Sequence, residues 1–424
     1  MGTGVGRTSV DRSSTARNEH MTFRANLRAG RHGWLRLTPA YGVRIVRERV
    51  SRLPAGSVVT DPFSGTGTTP LAAAELGHHG QSIDVNPFLV WLGRAKVRHY
   101  SAETLRAAAA AAREVADTAR RTDRDAPLWQ PDIFQIEKWW SPGTLHGLKA
   151  LRSAIDAYQG PVRDLLEIAL CRVLIAGSNA AFNHQSMSFR KPSASGRGCG
   201  DGPVLFDQAA AATVSTFAAE MNSVIGSARF NLPGSAAIYE GDSRTVIENL
   251  READLVLTSP PYANRMSYIR ELRPYMYWLR FLTLAEEAGD LDWRAIGGTW
   301  GAATSKLHRW QPETETPVND VLAEVCERIA ADGGRNGPLL ATYVRKYHHD
   351  MWLHFQAITA RVKRGGSVSY IVGNSTFYGH EVPAQDWYAV MLRELGYADV
   401  EVKVIRKRNS NKALFEYDVS GRRP

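Results

Sequence analysis

The sequence predicts a doubly wound α/β fold: a parallel sheet with helices on both faces, interrupted by a mostly helical insertion lobe. Three observations carry that expectation. A strand, glycine loop, helix, strand, helix run begins at Val58; strand-like segments resume after about Ser235; and the stretch between them, roughly Ser101 to Ser235, is Ala-rich and helical in pattern. Val58-Val59-Thr60 reads as a short buried strand running into Asp61-Pro62-Phe63-Ser64-Gly65-Thr66-Gly67. Thr68 to Leu76 follows as a small-residue helix ended by Gly77, Gln81–Val85 as a second strand, and Pro87 opens another helix. Such a βαβ unit is the building block of a parallel sheet.

The middle stretch is helical through the 120s and again near Leu145–Tyr158, Val162–Ala181 and Gln208–Val224, with a Gly/Ser/Arg-rich loop around Lys191–Gly202. Ala236–Tyr239 and Asp254–Leu257 are strand-like. A second insertion, about Ala285–Gly337, precedes a long helix ending at Lys363; Gly365-Gly366 then turns into a strand Ser367–Val372, and Val400–Ile405 reads as the final strand.

At 424 residues the chain exceeds one typical domain, and a hydrophobic share of 44% supports an ordinary globular core. No apolar run is long enough to span a bilayer and no signal-peptide pattern opens the sequence, so no membrane partner is expected. Cys171, Cys199 and Cys326 stand singly, matching neither a disulfide framework nor a zinc site, which points to a reduced, cytoplasmic protein. Lys and Arg number 52 against 43 acidic residues, a net charge of +9. That balance favours a polyanionic partner, since neutralising phosphates drives nucleic-acid binding. Arg24, Arg28, Arg31, Arg36, Arg44, Arg47, Arg49 and Arg52 crowd one stretch; Arg406, Lys407, Arg408 and Lys412 crowd another.

Two motifs carry chemistry. Asp61–Gly67 with Thr68-Thr69 lies on a strand-to-helix turn, where glycines let the backbone approach a ligand. No Gly-Lys-Ser/Thr follows, and the third glycine of a dinucleotide fingerprint is missing. Asp84 ends the next strand about twenty residues on, where a carboxylate binds ribose hydroxyls. A nucleoside-type cofactor without a cradled pyrophosphate is implied. The second motif, Thr258-Ser259-Pro260-Pro261-Tyr262, ends the strand Asp254–Leu257. Its two prolines remove two backbone donors and fix a rigid corner while their carbonyls stay available as acceptors. A polar side chain and the first proline's carbonyl can together accept both hydrogens of a planar amino group, and Tyr262 can stack on the attached ring. His348-His349-Asp350 suggests no metal site, because adjacent histidines on a helix point in different directions. Trp139-Trp140 are expected to pack the helical lobe. None of the cysteines follows a proline.

At these residues the sequence resembles the S-adenosylmethionine-dependent DNA amino-methyltransferases, which modify cytosine N4 or adenine N6. Asp61–Gly67 looks like their cofactor loop, Ser259-Pro260-Pro261-Tyr262 like their catalytic tetrapeptide, and Asp84 with Asn86-Pro87 like their ribose-binding segment. Glu240-Gly241-Asp242 is similar to the next acidic segment, where Asp242 would bond the cofactor adenine. His32–Val50, containing Pro39, resembles the element that touches the methionine end. The resemblance covers about Arg31–Val97 and Ala236–Val419.

It implies a methyltransferase-type, Rossmann-like sheet. S-adenosylmethionine would be held by Pro39, Asp61, Pro62, Phe63, Gly65, Gly67, Thr68, Asp84, Asn86 and Asp242, with Ser259, Pro260, Pro261 and Tyr262 catalytic and no metal. The expected organisation is a disordered N-terminus over 1–30, a cofactor-binding half over 31–100, the helical insertion over 101–235, and a catalytic half over 236–424 with its own insert at about 285–337. The expected partner is double-stranded DNA with the target base flipped, and cognate restriction or defence proteins are further candidate partners. The cofactor motifs precede the catalytic one, the reverse of many Ser-Pro-Pro-Tyr enzymes, so the recognition region does not transfer from them. The first insertion, longer and carrying the basic loop Arg190–Arg197, is the favoured candidate. Because Ser259 stands where adenine enzymes more often carry Asp or Asn, N4-cytosine is expected ahead of N6-adenine. An RNA base methyltransferase and a non-catalytic DNA-binding module are the further alternatives.

Overall fold

The computed structural model describes residues 26–35, 37, 41–181, 188–189, 203–245, 248–264, 267–298, 302–408 and 413–424. A seven-stranded sheet is built from β1 (Val58–Asp61), β2 (His79–Asp84), β3 (Ser235–Glu240), β4 (Ala253–Thr258), β5 (Val362–Gly373), β6 (Ala398–Lys407) and β7 (Phe415–Arg422). Their spatial order is β3-β2-β1-β4-β5-β7-β6. Strands β1 to β5 pair in parallel, while β7 runs antiparallel to both β5 and β6. This is the six-stranded Rossmann order with one antiparallel strand inserted, the doubly wound, methyltransferase-type sheet that the sequence predicts. The chain winds outward from β1 through β2 to β3, then returns to place β4 on the other side of β1. The β1/β4 boundary is therefore the topological switch point, where open α/β sheets form a crevice.

Alternate residues of β4 and β5 are buried on opposite faces, as a sheet covered on both sides requires. Leu255, Leu257 and Ile371 pack with α1 (Val43–Val50) and α2 (Thr68–Glu75), whereas Val256, Val368, Tyr370 and Val372 pack against other helices. Helix α3 (Pro87–Val97) follows β2.

Between α3 and β3 lie α4 (Ala102–Arg121), α5 (Pro142–Ile155), α6 (Gly160–Ala176) and α7 (Pro203–Ala228), with a two-residue antiparallel pairing of Ala180–Ala181 and Ser188–Phe189. Trp139 and Trp140 are buried and stack at 5.7 Å, and the Trp140 indole donates to the Leu174 carbonyl at 2.9 Å, so the pair packs the lobe as expected. The lobe shares one continuous core with α3 and with α8 (Tyr268–Trp278): Phe88 stacks on Tyr275 at 5.5 Å, and Trp140 meets Trp278 edge-on at 5.6 Å. The second insertion supplies α9 (Ala285–Arg294), and α10 (Gly337–Thr359) and α11 (Ala384–Glu394) cover the other face.

Several expectations are corrected. Asn26–Gly30 were expected within the disordered terminus, yet Asn26 is buried, accepting from the Val43 N–H at 2.8 Å and donating to the Tyr41 carbonyl at 2.9 Å. The long helix ends at Thr359, not Lys363, and β5 begins at Val362 with Gly365-Gly366 inside it. Gly365, at φ +79, takes a left-handed kink that lets Gly365 and Gly366 exchange hydrogen bonds with Arg423. Strand β6 is not the last; β7 follows it and enters the sheet between β5 and β6. The alternation in β7 misleads because Glu416 and Asp418 face inward while Phe415 and Tyr417 are only half-buried. Each acid meets an arginine, Glu416 with Arg406 and Asp418 with Arg49. Among the described residues no helix is long and apolar enough to cross a membrane.

Candidate active site

The site grows from the carboxyl ends of β1, β2, β3 and β4. Strand β1 delivers Asp61, fully buried, whose Oδ1 accepts from the Phe63 N–H at 3.0 Å and from the Thr258 hydroxyl at 2.6 Å. Thr258 ends β4, so this one bond ties the glycine loop to the strand that carries the Ser259–Tyr262 tetrapeptide. Asp61 Oδ2 is buried and has no hydrogen-bond partner of good geometry among the described residues. Burial pushes the Asp61 carboxyl up to about 7, with the Asp84 charge adding to the shift and the hydrogen bonds from Thr258, Thr69 and Phe63 opposing it.

The glycine loop folds back onto β2. Ser64 N–H donates to the Ile83 carbonyl at 2.8 Å, its hydroxyl meets Ser82 at 2.8 Å, and Gly65 N–H donates to Asp84 Oδ2 at 2.8 Å. Gly65 and Gly67 hold φ of +49 and +72, a region that side chains disfavour, and Gly67 caps α2. Pro62 and Thr68 are buried behind the loop, Thr68 Oγ1 lying 2.9 Å from Thr66 Oγ1. Asp84, half-buried at the crevice, also accepts from Asn86 N–H at 2.9 Å, and burial pushes its carboxyl up to about 6. Asn86 is used within the fold: its Oδ1 caps α3 through Phe88 N–H and its amide reaches Met276 Sδ at 3.7 Å. It fixes the loop that presents Asp84. Pro39 lies outside the described residues.

Asp242 follows β3 and is engaged by Arg244, whose Nε and Nη2 donate to its two oxygens at 2.9 and 2.6 Å. Arg244 also meets Asp350 at 3.1 Å and the Arg294 carbonyl at 2.8 Å, which anchors α9 beside the pocket. Phe63 packs on the buried His354 ring at 4.7 Å. That imidazole, held between the Ser243 carbonyl at 3.1 Å and the Tyr370 hydroxyl at 2.8 Å, is pushed down to about 4 by burial and stays neutral.

The tetrapeptide makes the other wall. Ser259 Oγ lies 3.5 Å from the Tyr262 hydroxyl, and Tyr262 N–H donates to the Tyr268 hydroxyl at 3.3 Å. Tyr347 donates to the Pro261 carbonyl at 2.6 Å and pairs with Tyr388 at 2.6 Å. No described group donates to the Pro260 carbonyl, the acceptor that the motif requires. The Tyr262 ring lies on Gly373 at the end of β5, where a Cβ would approach it to 3.1 Å, and the Arg408 guanidinium sits 5.4 Å from its centroid. Burial raises the Tyr262 hydroxyl far above its ordinary value, so the phenol stays neutral.

Sequence reasoning missed Tyr41, Tyr347 and Gly373, and named Arg408 only as one of a basic cluster, not beside the tetrapeptide. Tyr41 lies against Thr69, and the Asp61 charge adds to the rise in its own proton affinity that burial causes. None of these residues belongs to a local motif. Among the described members of the first arginine cluster, Arg28, Arg44, Arg47 and Arg52 are exposed, while Arg49 is half-buried and Arg31 is drawn inside. Arg31 is buried and donates to the carbonyls of Lys96, Arg98, Ala228 and Phe230; Arg47 pairs with Glu75, Arg49 with Asp418 and Arg52 with Glu48. Arg24, Arg36, Lys412 and the loop Arg190–Arg197 lie outside the described residues. His348 and His349 are buried helix residues, and no group of three or more potential metal ligands occurs among the described residues.

The arrangement suits S-adenosylmethionine. The orphaned Asp61 Oδ2 can take a cationic amine, Asp84 a pair of ribose hydroxyls, and the left-handed glycines leave the loop bare. The fold and site therefore define a methyltransferase-type α/β protein. The chain is 20% identical to the Type II methyltransferase M.BsoBI of Geobacillus stearothermophilus, over 95% of its own length and 86% of that protein's. Two solved structures of the rRNA methyltransferase AviRa from Streptomyces viridochromogenes are similar at TM-scores of 0.27 and 0.24 and identities of 12% and 11%. They cover 94% and 91% of this chain and 92% and 86% of their own. No protein-family model matches the chain. Motifs, sheet order and the full-length likeness to a methyltransferase support methyltransferase activity with S-adenosylmethionine as donor.

Proposed function

We propose that this protein methylates the exocyclic N4 of cytosine in double-stranded DNA, with the target base flipped into the corner at Ser259–Tyr262. One observation carries the reading: the cofactor loop and the tetrapeptide end adjacent strands and are tied by the Thr258–Asp61 hydrogen bond of 2.6 Å. When bound, S-adenosylmethionine supplies an electrophilic methyl group at that junction. Asp61 holds its amino group and Asp84 its ribose, while Asp242, already oriented by Arg244, accepts from its adenine.

The Ser259 hydroxyl and the Pro260 carbonyl accept the two hydrogens of the target amine, drawing its lone pair out of the ring and toward the donor. Tyr262 stacks on the base. Both acceptors are neutral, so they orient the amine without ionising it, and the proton lost after transfer leaves to solvent. Positioning supplies most of the acceleration. A base inside a duplex cannot reach this corner, so flipping is part of the reading.

The M.BsoBI likeness favours DNA as the substrate, and a neutral Ser259 favours cytosine over adenine. Incubating unmethylated genomic DNA with the protein and S-adenosylmethionine, digesting to nucleosides and identifying the product by mass spectrometry tests the assignment. N4-methylcytosine is expected. A pool containing N6-methyladenine alone would overturn the cytosine assignment.

A further inference from the structure

Arg406 and Arg408 stand two residues apart at the end of β6 and its continuation, yet their surroundings differ. Arg406 is locked to Glu416, its Nε and Nη2 donating to the two carboxylate oxygens at 2.6 and 2.7 Å. Among the described residues no carboxylate lies within ion-pair distance of Arg408. Its backbone N–H is held by the Leu414 carbonyl at 2.8 Å, and among the described residues its side chain donates from Nη1 to the Asn374 carbonyl at 3.1 Å. The guanidinium carbon lies 5.4 Å from the centre of the Tyr262 ring. Gly373 makes this possible: a Cβ there would come within 2.9 Å of Arg408 Nη1 and 3.1 Å of the tyrosine ring. A partly exposed cation without a counter-charge thus sits against the side chain that stacks on the target base.

A guanidinium offers two surfaces at once. Its flat face packs on an aromatic ring, while its edge carries donors in a fork that matches a phosphate. Here the guanidinium carbon lies 5.4 Å from the Tyr262 ring centre and one edge nitrogen donates to a main-chain carbonyl, which leaves donor capacity free and the positive charge without a carboxylate partner among the described residues. A base flipped onto Tyr262 brings its own strand's backbone to the mouth of the same corner, and that backbone carries the missing charge.

We propose that Arg408 binds a backbone phosphate of the target strand beside the flipped nucleotide while holding Tyr262 in its stacking position. The proposal rests on the DNA reading above. It assigns a nucleic-acid contact to a residue of the β6–β7 connection, apart from both insertions.

The test uses the full-length chain. Binding of a mixed-sequence duplex is measured against salt concentration, and methyl transfer to unmethylated genomic DNA is followed under steady state, for wild type, Arg408→Ala and Arg408→Lys. The alanine variant should lower the salt slope by about one and kcat/KM for DNA by roughly tenfold, with S-adenosylmethionine affinity unchanged, which also shows that it folds. The lysine variant should restore the slope but only part of kcat/KM, because a compact ammonium does not pack flat on the ring. If wild type methylates DNA and Arg408→Ala matches it in both slope and kcat/KM, the proposal is wrong and the DNA reading stands. If wild type neither binds nor methylates DNA, the DNA reading falls and the phosphate contact falls with it.

Discussion

The two walls of the crevice meet where β1 lies beside β4, and they differ in charge: one is acidic and the other is built of neutral groups. The proposed cofactor wall holds Asp61 and Asp84, whose carboxyls burial pushes up to about 7 and about 6, with no cation paired to either among the described residues. The target wall holds Ser259, the Pro260 carbonyl and a cluster of tyrosines, all neutral. Uncompensated buried carboxylates are costly, and a fold keeps them where a ligand brings the opposite charge. On the proposed reading the difference separates two ligands: a cationic one against Asp61 and Asp84, and a neutral amine against the tetrapeptide.

The sharpest way to break this comparison is to damage one wall and read the other. Tyr262→Ala and Pro260→Ala should each lower methyl transfer by at least roughly a hundredfold, since a small displacement of a reacting group has that effect. Calorimetric S-adenosylmethionine affinity should stay within twofold of wild type; a variant that loses cofactor instead would merge the two walls. Asp84→Ala should weaken cofactor binding by roughly 1.5–3 kcal/mol, the scale of a hydrogen bond to a charged group. Unchanged affinity in a titration would remove Asp84 from the pocket.

A pH series sharpens the cofactor side. In the free protein Asp61 is protonated below about 7 and ionised above it, and only the ionised form attracts the ligand's ammonium. Affinity should therefore fall as pH is lowered through 7, by up to about tenfold per unit. Asp61→Asn should bind weakly at every pH and lose that slope. A flat wild-type profile over the same range would contradict the assignment. The smallest effect is expected from Tyr347→Phe, which removes the hydroxyl donating to Pro261. Loss of one such bond is worth about 0.5–1.5 kcal/mol, so kcat should drop severalfold while KM for S-adenosylmethionine holds. A change confined to KM would move Tyr347 to the cofactor wall.

What the sequence made legible follows from what is local. Asp61–Gly67, Asp84 and Ser259–Tyr262 each sit where a strand meets its loop, so a short motif records both the turn and its chemistry. The βαβ run around them gave the class of the sheet. Strand β7 was hidden because its inward face is Glu416 and Asp418, each neutralised by an arginine from another element, so apolar alternation points the wrong way. Within the arginine-rich segment, Arg31 and Arg49 are anchors whose partners lie far along the chain, while Arg28, Arg44, Arg47 and Arg52 stay exposed. Asn86 read as a cofactor contact, whereas its side chain caps α3. Tyr347, Gly373 and Arg408 come from three elements and meet only when β5, β6 and α10 close on the tetrapeptide. The second insertion, set behind the first as a recognition candidate, reaches the site: Arg294 meets Arg244, and a Cβ on Gly297 would lie 3.7 Å from the Tyr262 carbonyl.

The central claim is that one crevice brings a methyl donor and a base amine together. The most direct test supplies S-adenosylmethionine labelled in its methyl group, together with duplex DNA, and follows the label. Recovery of the label on the exocyclic amino group of a base, abolished in Tyr262→Ala but not in a variant of an exposed residue at the opposite edge of the sheet such as Arg422→Ala, is the predicted result. Label that never leaves the donor, or that reaches DNA equally well without Tyr262, would contradict it.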